Sequence, residues 1–137
     1  MKAALLGVCL ALAADAGAPP VFVPVQHFTL AWEHSIEKVR WEEDYEVIEQ
    51  HGKPTLKAGE ARIQGSAAGM EPPPDAVRQG SWYRYQPDSW PHAPLRLTRS
   101  EYTPDYEWCV DGACQPLSAL LPTDGDITLL SPCQRQP

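Results

Sequence analysis

The segment from Phe28 to Glu49, FTLAWEHSIEKVRWEEDYEVIE, alternates apolar and polar residues at strand period. Phe28, Leu30, Trp32 and Ile36 fall on one apolar face, and Val39, Trp41, Tyr45 and Val47 on another. Each face carries one polar intruder, His34 in the first and Glu43 in the second. Arg40, Glu42, Asp44 and Glu46 make the opposite side of the second strand charged. A hairpin turning near Lys38 keeps its apolar faces together only in registers related by even slips, because a shift of one residue buries the charges. Closing the turn on Lys38 and Val39 sets Leu30 across from Val47, Trp32 from Tyr45, Ile36 from Trp41, and His34 from Glu43. The pattern therefore predicts an inward histidine and carboxylate between aromatic walls.

The same alternation continues downstream. Val21 to Val25 reads as a short edge strand, and Thr55 to Gln64 as a further strand interrupted by Gly59 after a turn at His51-Gly52. Trp82-Tyr83-Arg84-Tyr85 has aromatic residues on both faces, and Leu95 to Arg99 places Leu95, Leu97 and Arg99 on one side. Ile127 to Leu130 supplies a last short strand. No segment keeps helical periodicity, and the 15 prolines are spread too widely for long helices. The predicted fold is all-β, an antiparallel β-sandwich or small barrel of short strands.

Composition changes this picture at the chain ends. Met1 and Lys2 precede an apolar run, Ala3 to Ala14, too short to span a bilayer, and Ala14-Asp15-Ala16 fits a signal-peptidase site. Residues 1–16 are thus expected to be a signal peptide, 17–27 an extended Pro-containing segment, 28–130 the β domain and 131–137 a tail. The expected location is periplasmic or secreted. A net charge of -7 argues against nucleic acid or an anionic membrane surface as partner, so membrane contact is expected only through another protein.

Export lets cysteines pair. Cys109-Val110-Asp111-Gly112-Ala113-Cys114 has Asp-Gly at its centre, a two-residue hairpin signal that sets Cys109 across from Cys114. A cross-strand disulfide is favoured there over a pair of metal thiolates, which lack further ligands at a fitting spacing. Cys133 is then left as a free tail thiol. No metal or cofactor is expected.

The order of four blocks resembles a known family. His34-Ser35-Ile36-Glu37, then Trp41, Glu43 and Tyr45, then Gly65-Ser66-Ala67-Ala68-Gly69-Met70-Glu71-Pro72-Pro73, and finally Trp108 to Leu117 are similar to the bacterial domain-of-unknown-function family numbered 1850. The resemblance covers about Phe28 to Leu117. It implies a short exported protein encoded beside, or joined to, membrane components of tripartite (TRAP) transporters of the TAXI type, and so an accessory role in solute uptake. Ala67 stands where the family's small-residue loop usually has the first Gly of Gly-Ala-Gly, which puts any backbone role of that loop in question.

Three functions follow as expectations. The first is a non-enzymatic accessory module that binds a small polar ligand through His34, Ser35, Glu37, Trp41, Glu43, Tyr45 and Gly69. The second is a structural domain docking on a membrane permease through aromatics such as Trp82 and Trp90. The third is a small hydrolase with Ser35 as nucleophile. Strand alternation disfavours it, because neighbouring residues point to opposite faces and His34 is badly placed to activate Ser35.

Overall fold

A computed structural model of the protein describes residues 5–33, 39–65 and 74–135. Its strands are β1 (Leu5–Leu12), β2 (Val21–Val23), β3 (His27–Glu33), β4 (Arg40–Gln50), β5 (Lys53–Gln64), β6 (Val77–Gln79), β7 (Trp82–Tyr85), β8 (Leu95–Thr98), β9 (Glu107–Val110), β10 (Ala113–Pro116) and β11 (Ile127–Arg135). A 3₁₀ turn, Leu117–Ala119, is the only helical element among the described residues. The strands form two antiparallel sheets, ordered β2-β1-β11-β8 and β10-β9-β3-β4-β5-β7-β6. Neither closes on itself, so of the two all-β alternatives the chain adopts the sandwich.

Alternation decides which residues lie between the sheets. Val8, Leu10, Leu97 and Leu130 of the small sheet are buried with Phe28, Leu30, Tyr45, Val47, Leu56 and Trp108 of the large one. Buried positions on β5 change phase, from Leu56 and Ala58 to Ala61 and Ile63. A bulge causes this: Tyr45 pairs with Ala58 but Glu43 with Ala61, which leaves Gly59 and Glu60 together opposite Asp44. A Cβ at Gly59 would stand 3.1 Å from Asp44 Cβ, so the glycine that weakens the strand pattern is what lets the bulge close.

The β3–β4 hairpin keeps the expected faces in a different register. Trp32 opposes Trp41 rather than Tyr45, and Phe28 opposes Tyr45, an even slip that preserves the apolar pairing. Phe28 stacks on Tyr45 at 5.5 Å and Trp32 on Trp41 at 6.1 Å, while Thr29 Oγ1 donates to Asp44 at 2.7 Å on the other side. The turn expected at Lys38 lies outside the described residues.

Both chain ends belong to the sandwich. Leu5–Leu12, expected as a leader, lies at the centre of the small sheet between β2 and β11, with Val8 and Leu10 fully buried. A short apolar run fits a buried strand as well as a leader, and periodicity does not separate the two. Residues 131–135, expected as tail, continue β11. Cys133 is not a free thiol: it is bonded to Cys9, a diagonal neighbour across the β1–β11 ladder. That bond spans 124 residues, and loop-closure entropy values it at about 5 kcal/mol. Cys109–Cys114, as expected, joins β9 to β10, but across 5 residues it contributes roughly 2 kcal/mol. The Asp111-Gly112 turn has φ of 52° and 80°, the left-handed pair that a two-residue hairpin requires.

The end of β8 is held by a charge inside the fold. The Arg99 side chain is 0% exposed and donates to both carboxylate oxygens of Asp105 at 2.9 Å and to Thr128 Oγ1 at 3.1 Å. Asp105 also accepts the backbone N–H groups of Tyr106 and Ser118, which fixes the segment leading into β9. Burial acts to raise the Asp105 carboxyl, but the hydrogen bonds and charge of Arg99 outweigh it and hold it below its ordinary value.

Two outcomes follow. A chain starting at Gly17 loses β1 and leaves Cys133 reactive to thiol reagents; its urea midpoint falls by an amount equivalent to at least about 5 kcal/mol. Asp105→Asn leaves a buried guanidinium half-paired and costs about 3 kcal/mol at neutral pH. Because the Asp105 pKa is depressed on folding, its contribution is present above the unfolded value and lost as pH falls through the folded one. Urea melts of wild type and variant therefore draw together progressively as pH falls below the ordinary aspartate value, and meet only below the depressed folded one.

Candidate functional site

The inner face of the large sheet is mostly apolar, and Glu43 is the acidic side chain in its middle rows. Pairing sets Leu30, Glu43, Ala61 and Tyr85 in one row across β3, β4, β5 and β7, and Trp32, Trp41, Ile63 and Tyr83 in the next. Glu43 thus sits in a face built for burial, with the small side chain of Ala61 between it and Tyr85. The only other acidic residue in this phase of β4, Glu49, is exposed near the hairpin tip. Trp32, Trp41, Glu43, Tyr85 and Tyr106 all remain partly exposed, because the four-stranded sheet covers only part of its seven-stranded partner.

Phenols and indoles surround the carboxylate. Tyr45 Oη donates to Glu43 Oε1 at 2.6 Å. Burial, followed by the negative charge of Glu43, raises the pKa of Tyr45, and the same causes in the same order raise Tyr85 and Tyr106. All three phenols are therefore neutral at physiological pH. Trp32 completes the rim, with ring centres 6.1 Å from Trp41 and 5.8 Å from Tyr106. It also forms a shared wall of two open hollows of about 280 and 360 Å³, lined on one side by Thr98, Ser100 and Tyr106 and on the other by Arg40, Gln64 and Glu107.

The outer face of the same sheet does the opposite with charge. Arg62 donates to Glu42, to both oxygens of Asp44 and to Glu60 at 2.8–3.0 Å; Arg84 bonds Glu60, and Arg40 bonds Glu42 and Glu107. Burial opposes ionisation of Glu42 and Asp44, but the arginine hydrogen bonds prevail and keep both below their ordinary values. A larger hollow, about 420 Å³, opens here beside the Cys109–Cys114 disulfide. Its Arg62, Glu42 and Asp44 already satisfy one another, so size alone does not make it the better candidate.

Of the seven residues expected in the site, Trp41, Glu43 and Tyr45 share the inner face of β4. His34, Ser35, Glu37 and Gly69 lie outside the described residues. The expected His34–Glu43 opposition does not hold, since Leu30 is the residue across from Glu43. Val39, two residues after the first motif, and Gly65, which begins the second, are neighbours: a Cβ on Gly65 would stand 3.4 Å from Val39 Cγ1. Tyr85 and Tyr106 are the contributors that the sequence reading did not pick out. Period two assigns Tyr85 to a face, but only the strand order brings β7 and the segment before β9 to Glu43. Among the described residues no group of three or more His, Cys, Asp or Glu is placed to hold a metal ion, and no helix is long and apolar enough to cross a membrane.

Fold and site together define a disulfide-linked β-sandwich with a carboxylate set among aromatic side chains on the inner face of the large sheet. The family model for the domain of unknown function DUF1850 matches residues 28–117, and the chain belongs to that family. No curated protein and no solved structure is significantly similar to it. The matched region spans β3 to the 3₁₀ turn, whereas β1, β2 and β11 lie outside it.

Tyr45→Phe removes the 2.6 Å hydrogen bond while keeping the ring stacked on Phe28. It is expected to lower stability by about 1 kcal/mol in urea titration without altering the far-ultraviolet circular dichroism.

Proposed function

We propose that the protein is a periplasmic, non-enzymatic accessory of TRAP-type solute uptake that binds a small polar ligand beside Glu43. The observation that carries this reading is a partly exposed carboxylate on a largely apolar sheet face, bonded to Tyr45 and sharing that face with Trp32, Trp41 and Tyr85, with Tyr106 packed on Trp32. A residue kept only for stability is ordinarily apolar at such a position, and phenols perturbed by burial and a nearby carboxylate favour a functional site. All four cysteines are paired, which suits an oxidising compartment. Membership of DUF1850, with the TRAP association that the resemblance implies, supports the partner.

A structural domain that docks on a membrane permease is the second reading. It is favoured by the exposed rings of Trp90 and Tyr102, at 37% and 87%. Glu43→Gln separates the two. Thermal melts of the full chain are compared with and without a panel of millimolar amines, carboxylates and polyols. Ligand binding predicts stabilisation by at least one solute in wild type, lost in a variant that keeps its fold. Docking predicts no solute effect, with cross-linking to TRAP membrane subunits that survives Glu43→Gln and fails in Trp90→Ala.

A further inference from the structure

We infer that the ligand held beside Glu43 is an organic ammonium ion, a primary or methylated amine; this rests on the ligand-binding reading above and narrows it. Six of the described basic side chains have partners other than Glu43. Arg40, Arg62 and Arg84 bond carboxylates on the outer face, and Arg99 is fixed to Asp105. Arg78 lies over the Tyr83 ring and Lys57 over Trp90. Glu43 is instead met by the hydroxyl of Tyr45, a neutral partner that leaves the carboxylate its charge.

The surroundings select the kind of cation. A carboxylate repels anions, and the one hydroxyl that reaches it is already spent as a donor to it. A hard metal ion asks for about six oxygen ligands, and no such cluster exists among the described residues. An ammonium ion asks for one opposite charge together with aromatic faces, whose negative π-surfaces attract it more strongly when water is excluded. Trp41 and Tyr85 share the sheet face of Glu43, Trp32 opposes Trp41 and packs on Tyr106, and each ring is partly exposed, so aromatic surface is within reach of a cation at the carboxylate.

The test uses the full chain and four probes at matched ionic strength: tetramethylammonium chloride, methylammonium chloride, sodium acetate and glycerol. Tryptophan fluorescence and thermal melting are the readouts. The expected result is a saturable response to at least one ammonium salt and none to acetate or glycerol. Glu43→Gln is expected to weaken it by at least about 10-fold, and Tyr85→Leu by about 5-fold, with circular dichroism unchanged. Should Glu43→Gln fail to fold, Tyr85→Leu decides. A response to acetate or glycerol that Glu43→Gln abolishes overturns the ammonium assignment while leaving a ligand site in place. An ammonium response equal in wild type and both variants overturns it as nonspecific. Silence toward all four probes overturns the assignment; silence toward the wider panel of amines, carboxylates and polyols removes the ligand reading beneath it.

Discussion

Strand β4 imposes the condition that the remaining architecture satisfies. Its outward residues Arg40, Glu42 and Asp44 are ionised, and its inward residues Trp41, Tyr45 and Val47 are not, so a slip by one residue on either neighbour would bury charge. Arg62 answers from β5 by binding Glu42 and Asp44 together, which holds the charged rows of the two strands level. The bulge at Gly59 and Glu60 then lets β5 resume its inward phase as Ala61 and Ile63. Burial of the opposite face follows from these pairings, and the small sheet packs where that face is most apolar. Glu43 is the inward position at which the rule is broken, and the aromatic residues collect around it.

What was readable in the sequence divides along physical lines. Side-chain alternation is local, so the faces of β4, β7 and β8 followed directly, and so did the Asp111-Gly112 turn with its disulfide. Register is a sum over partners, and registers two or four residues apart bury the same kinds of side chain. Only tertiary contacts, the Phe28–Tyr45 and Trp32–Trp41 stacks and the Thr29–Asp44 hydrogen bond, select one of them. The His34–Glu43 opposition failed for that reason. Leu5–Leu12 forms a strand of the small sheet, and a short apolar run beside small residues satisfies a leader and a buried strand equally. Cys133 was expected to be free because Cys9 had been assigned to a removed segment, which left it no visible partner.

The candidate site was legible in part for the same reasons. Glu43 announces itself as a charge in an apolar phase, and Trp41 and Tyr45 are its neighbours along one strand. Tyr85 and Tyr106 come from distant parts of the chain, and no local pattern indicates that β7 lies beyond β5 or that the segment before β9 returns across Trp32. DUF1850 membership joins these pieces, since its matched region includes the strands that supply all of them.

The pairing of β1 with β11 also has a mechanical side. Leu5 opposes Arg135, so the two ends of the described chain emerge at one corner of the small sheet, with the antiparallel ladder leading inward from them. Tension applied between those ends would peel the rungs one at a time, starting at Leu5–Arg135 and reaching Gly7–Cys133. There the Cys9–Cys133 crosslink takes the load covalently, and the interior of the sandwich is shielded from any pull by sequences fused at either side.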